Sequence, residues 1–203
     1  MRSQSSGAEI PEMRAFGAGL AVLACFATLS GVANLEVRGT ALVRERPEPN
    51  AVVWLEAPGA PPSPPTQSIV LDQRNLTFYP HVLAVRVGTT VEFPNNDRVF
   101  HNVFSFRDGK RFDLGMYPVG TKRRVTFDQP GVSRIFCNIH PNMAAYVVAL
   151  DTPYFGVTDQ TGTFRIPNVP PGSHKFGAWR PGGSILAGKY EPDAGRPFQI
   201  RWP

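Results

Sequence analysis

"RIFCNIHPNM", residues 134–143, sets one cysteine, one histidine and one methionine three residues apart among apolar neighbours. Thiol, imidazole and thioether all bind transition metals. The stretch is therefore either a metal loop or ordinary core with a stray histidine, and its surroundings must decide. The chain has 203 residues with 21 prolines and 19 glycines, and its apolar runs are short and rich in Val, Phe and Ile. Runs of that kind, bounded by turn residues, predict an all-β protein. No sustained helical period follows the N-terminus.

Residues 1–33 read as an export signal. Ala15 to Ala33, "AFGAGLAVLACFATLSGVA", is apolar and small, Arg14 precedes it, and Gly31-Val32-Ala33 offers the small residues that a signal peptidase prefers. Met13 is an alternative start. Two rival readings keep the segment: a membrane anchor, because 19 apolar residues barely span a bilayer, or lipidation at Cys25. Export predicts a periplasmic or extracellular protein, and retention one anchored in the membrane and facing the periplasm. Cleavage after Ala33 removes Cys25, so Cys137 becomes a lone cysteine in an oxidising compartment. Such a thiol is either buried and inert or held by a metal.

Residues 35–56 read as two strands around a Pro-containing turn, and "APGAPPSPP" after them is a stiff spacer that cannot join a sheet interior. From Ile69 to Leu150 strands follow closely. Leu83, Val85 and Val87 alternate with Ala84 and Arg86, and Gly88-Thr89 turns the chain into Val91 and Phe93. Val125 and Phe127 then lead through "DQPG" to Ile135 and Cys137, which share a face. Further on, "GVTDQTGTFRI" reads as a hairpin whose turn carries Asp159 and Gly162, and "NVPPGSHKFGAW" as another turn and strand. The expected units are a signal over 1–33, a half-domain over 34–57, a linker over 58–66, a domain over 67–151 and a second half-domain over 152–203.

A further candidate ligand lies upstream, in "VEFPNNDRVFHNVFSF", residues 91–106, where His101 stands 36 residues before Cys137. That separation lets it come from a neighbouring strand end, and the donors become two imidazoles, a thiolate and a thioether. Trigonal His2Cys with a long axial Met is the arrangement of blue-copper electron transfer. Thiolate and thioether suit Cu(I), while imidazole accepts either oxidation state. Four protein donors leave no open position for a substrate, so the set predicts a carrier and no enzyme. Multicopper oxidases and nitrite reductases need further histidine-rich centres, and this chain has four histidines and no His-x-His pair. Met116 is a rival axial donor. His81 and His174 lack motif support and read as structural, and Trp54, Trp179 and Trp202 as core or edge.

These residues resemble the cupredoxin family, and plastocyanins and amicyanins within it. The plastocyanin pattern F-x-N-N-x4-H-N-V is met by Phe93, Asn95, Asn96, His101, Asn102 and Val103, and the amicyanin loop C-x2-H-P-x-M by Cys137, His140, Pro141 and Met143. The resemblance covers residues 69–150. It implies His101, Cys137 and His140 as equatorial copper ligands, Met143 as the axial one, and Asn96 as the donor of a backbone N–H to the Cys137 sulfur. The flanks are similar to the carboxypeptidase regulatory-like, or transthyretin-like, sandwich: "GVTDQTGTFRIPNVPPGSHKFGAW" resembles its second half and Gly39 to Leu55 its first. The expected fold is thus all-β, a cupredoxin Greek-key sandwich inserted between the halves of a smaller, discontinuous transthyretin-like sandwich.

The function this implies is an exported type 1 copper protein, a monomer that carries single electrons between redox proteins. The amicyanin-like loop points to a methylamine-type dehydrogenase system. Net charge is +5, which favours an acidic partner surface or anionic lipid headgroups, and no Lys/Arg cluster runs along one element as nucleic-acid binding would need. Lys122-Arg123-Arg124 reads most simply as a solvated strand start. The alternative is a non-redox module for copper storage or for envelope interactions.

Overall fold

In the computed structural model, residues 34–58, 68–106, 108–192 and 197–203 are described. The expected signal over 1–33 lies outside them, as does nearly all of the linker. The described residues form β-strands and no helix. Three strands come first: β1 (Leu35–Val43), β2 (Arg46–Pro47) and β3 (Val52–Glu56). Ten follow: β4 (Ile69–Val70), β5 (Asp72–Arg74), β6 (Thr77–Tyr79), β7 (Val82–Arg86), β8 (Thr89–Pro94), β9 (His101–Ser105), β10 (Phe112–Tyr117), β11 (Lys122–Phe127), β12 (Gly131–Phe136) and β13 (Ala144–Leu150). Five close the chain: β14 (Phe155–Val157), β15 (Thr163–Val169), β16 (His174–Trp179), β17 (Leu186–Tyr190) and β18 (Phe198–Trp202).

The first and last groups share two sheets. One runs β15-β1-β18 with β2 beside β1, and the other runs β14-β3-β16-β17. Val37 and Ala41 of β1, Val53 and Leu55 of β3, Phe164 and Ile166 of β15 and Ile200 of β18 meet in one apolar core. Residues before 57 therefore pair with residues after 154, in both sheets of an accessory sandwich. The ten middle strands make the other lobe, with sheets β10-β9-β12-β13-β7 and β11-β8-β4 and the small hairpin β5-β6. In β12 the alternation puts Ser133, Ile135 and then Cys137 inside while Arg134 faces out. Val91, Phe93, Val103, Phe127, Ile135 and Val147 fill that core, which reaches Cys137 and Met143 at one end.

Two local expectations are corrected. A strand at 83–87 with one buried face would leave Ala84 exposed, yet β7 is covered on both sides. Val85 sits in the core of the middle lobe, whereas Val82 and Ala84 join Val52, Val148, Leu150 and Trp179 in a third cluster between the lobes. The accessory sandwich supplies the cover.

The hairpin at 156–166 does not form either: β14 pairs with β3 and β15 with β1, so the turn between them is a corner from sheet to sheet. The backbone there is taken by other partners, since Thr158 N–H donates to the Ala51 oxygen and Ala41 N–H to that of Gly162. Asp159 Oδ1 accepts from the N–H groups of Thr161 and Thr163 and tightens the bend. Gly162 has φ +73°, and a Cβ there would stand 2.7 Å from the Ala41 oxygen, so this corner needs glycine.

Candidate metal centre

β8 ends at Pro94, and β9 begins at His101 after six intervening residues. Asn95, fully buried, shapes that connection: its Nδ2 donates to the oxygens of Val99 and Tyr117, and its Oδ1 accepts from Asp97 N–H. Beneath it, the Tyr117 hydroxyl donates to the Phe93 oxygen at 3.0 Å, and burial pushes this phenol well above its ordinary range. Gln73 Nε2 donates to the Pro94 oxygen at 3.0 Å. His101 is thus delivered from a loop fastened on both sides, and its side chain is fully buried.

The second part comes from the turn between β12 and β13. Cys137 N–H donates to the Met143 oxygen at 3.2 Å and Met143 N–H to the His140 oxygen at 2.9 Å, so the loop closes on itself. Asn138 N–H donates to Asn102 Oδ1 at 3.1 Å, and Asn102 Nδ2 to Asp113 Oδ1 at 3.0 Å. Asn102, next to His101, therefore ties the loop to β9 and β10.

Three donor atoms converge. His101 Nδ1 and His140 Nδ1 are 3.1 Å apart, and Cys137 Sγ lies 3.8 Å from the first and 3.6 Å from the second. A point equidistant from the three is about 2 Å from each, close to ordinary metal–nitrogen and metal–sulfur bond lengths. The three residues form the metal-capable cluster found among the described residues. Cys137 and Met143 are buried, and His140 is the partly exposed member. Met143 lies in the same core, whereas Met116 on β10 is 55% exposed.

Asn96 does not make the contact its resemblance implies. Its N–H donates to the Gln73 oxygen at 3.0 Å and its Nδ2 to Asp72 Oδ1 at 2.9 Å, because the β5-β6 hairpin arrives beside the loop and engages it first. A neighbour escaped the sequence reading: Asp97 Oδ2 lies 3.0 Å from His101 Nε2. Burial pushes the Asp97 carboxyl up, but the N–H groups of Leu76 and Arg98 and the His101 imidazole outweigh it and hold the group below the usual aspartate range. The available signal was a carboxylate four residues before a histidine ligand. The other histidines stand apart from this cluster: His81 is exposed and packs edge-on against Tyr146, and His174 Nε2 donates to the Pro170 oxygen at 2.7 Å in the accessory sandwich.

Residues 65–150 match the sequence model of the copper binding proteins, plastocyanin/azurin family. No curated protein matches the chain. Among solved structures, it is similar to a purple cupredoxin from Nitrosopumilus maritimus at 28% identity and TM-score 0.37, over 41% of this chain and 98% of that one. It is also similar to a copper-containing nitrite reductase from Thermus scotoductus SA-01 at 29% identity and TM-score 0.40. That overlap takes 47% of this chain but only 25% of the reductase. A variant of amicyanin in its oxidised state is 26% identical at TM-score 0.39, over 50% of this chain and 99% of that one. A thiol flanked by two imidazoles inside the matched segment makes copper the cofactor of this centre, and residues 65–150 carry the chain's match to the plastocyanin/azurin family.

Proposed function

We propose that the protein is an exported type 1 copper carrier of single electrons. The observation that carries this reading is the convergence of one thiol and two imidazole nitrogens within 3.8 Å of one another, at the end of a β core. His101, Cys137 and His140 would hold the ion, with Met143 as the axial donor. Bound copper supplies a reversible Cu(I)/Cu(II) couple. The chain's own part is to keep the donors still, through the self-closed loop and its anchor on Asn102. Four protein donors would leave no coordination position for a substrate, which favours a carrier over an enzyme.

Electrons would pass through the His140 imidazole, the ligand that reaches the surface. Phe100 and Ile139, each directly before a ligand histidine, are 52% and 44% exposed, and Val99 beside them is also exposed. A small apolar collar of that kind suits weak, short-lived docking. The partner would be a redox protein with an acidic surface, in the narrowest version a methylamine-type dehydrogenase. Lys122 and Arg124 share the single carboxylate of Glu92, so their group keeps a net positive charge for such a surface. Export rests on the N-terminal sequence alone; among the described residues no helix is long and apolar enough to cross a membrane. Kinship of the accessory sandwich with the carboxypeptidase regulatory-like family rests on its motifs and on the sheets its two halves share.

Adding Cu(II) to the purified protein is expected to give an intense visible thiolate-to-copper absorption and a reversible one-electron wave. A colourless protein would overturn the reading, and a site that holds Cu(I) without cycling would favour copper storage.

A further inference from the structure

We propose that Asp97 is a positioning residue for His101: an ionised carboxylate that dictates which ring nitrogen faces the copper and biases the ion toward Cu(II). The second half of this proposal rests on the copper reading above; the first stands on the protein alone.

Both carboxylate oxygens of Asp97 and its N–H are committed. Oδ2 faces His101 Nε2 at 3.0 Å and accepts the Leu76 N–H at 2.6 Å, Oδ1 accepts the Arg98 N–H at 2.8 Å, and its own N–H donates to Asn95 Oδ1 at 3.1 Å. The side chain is 8% exposed. An ionised carboxylate offers only acceptors, so Nε2 of His101 must carry the proton and Nδ1 must present its lone pair. Nδ1 is the atom that meets His140 and Cys137. Without this acceptor a buried imidazole has two tautomers to choose from, and one of them directs a proton at the metal.

The donor that Leu76 offers to this carboxylate comes from the turn of the β5-β6 hairpin. The β5-β6 turn puts Asn75 at φ 52° and Leu76 at φ 58°, a left-handed region that a leucine rarely occupies. Both residues form the two-residue type I′ turn that joins β5 to β6, and from that turn the Leu76 N–H reaches Oδ2. The hairpin is clamped to the 95–97 segment by the two Asn96 bonds to Gln73 and Asp72. A hairpin some 20 residues upstream thereby reaches the ligand through Asp97.

The charge follows from the same geometry. A thiolate and a second anion behind His101 interact with a doubly charged ion more strongly than with a singly charged one. Asp97 therefore lowers the reduction potential relative to a neutral acceptor.

The test compares wild type with Asp97→Asn and Asp97→Glu by voltammetry and by nitrogen-15 NMR of the imidazoles in the copper-free full-length chain. The wild type is expected to show the His101 Nε2–H tautomer. Asp97→Asn is expected to shift the Cu(I)/Cu(II) ratio at fixed ambient potential at least tenfold toward Cu(I), which for one electron is 59 mV. Asp97→Glu is expected to return most of that shift. An unchanged potential and tautomer in Asp97→Asn would show a loop cap only and overturn the proposal. Should Asp97→Asn not fold, the wild-type tautomer alone decides, because an Nδ1–H imidazole at His101 overturns it. If the wild type binds no copper yet shows the Nε2–H tautomer, the copper reading and the charge effect fail together while the positioning role stands.

Discussion

His101 and His174 are both buried in β-sandwiches, and only one belongs to a site. In the accessory sandwich the buried polar groups serve the nearby backbone. His174 donates to the Pro170 oxygen, Thr152 Oγ1 to the Leu55 oxygen, and Thr158 Oγ1 bonds Ala51 N–H and the Glu48 oxygen. At the copper end Asn95, Tyr117 and Gln73 also bond backbone oxygens, but other polar groups turn toward one another: Asp97 to His101, His101 to His140 and Cys137, Asn102 to Asp113. A polar group that bonds only backbone substitutes for a missing turn or ladder bond. Groups that bond each other's side chains keep donor atoms in one place at the expense of apolar core, which suits a site that holds a ligand.

The contrast can be broken by substitution. The largest effect is expected for Cys137→Ser, which should abolish the visible copper band, while His174→Gln should leave that band untouched. Trp179→Ala removes a buried indole that packs on Tyr146 at the seam between the lobes, 5.1 Å between ring centroids. Loss of about 3–5 kcal/mol in urea unfolding is expected, with the spectrum of the folded copper protein unchanged. A shifted band would mean that the lobes are coupled and the contrast is too sharp. Gly162→Ala forces an alanine into the left-handed corner against the Ala41 oxygen, and roughly 1–2 kcal/mol or more should be lost in the same unfolding measurement. Smallest is Leu76→Gly: relief of left-handed strain, partly offset by chain entropy, should stabilise by roughly 0.5 kcal/mol without altering the band. Destabilisation by that change would show that the Leu76 side chain matters more than its backbone conformation.

Part of this was legible along the chain. Alternation in β8 and β12 places Val91, Phe93 and Ile135, and Cys137 just past the end of β12, inward because the side-chain period of a strand is a local property. The donor types and their loop spacing are equally local, and the structure brings His101, Cys137 and His140 within a few ångströms of one another. What escaped was set by distant arrivals. β7 is covered on a second face by strands from both ends of the chain, the corner at 158–162 answers to β1 and Ala51, and Asn96 is captured by a hairpin from upstream.

By itself, the sequence determined the class of fold, through turn residues and a period of two, and the chemistry of the donors, through residue type and spacing. Which faces are covered, which neighbour holds His101, and where each sheet finds its edge were decided only by the assembled molecule. Backbone and carboxylate hydrogen bonds have no preference among partners at a distance, so the element that packs nearest takes them.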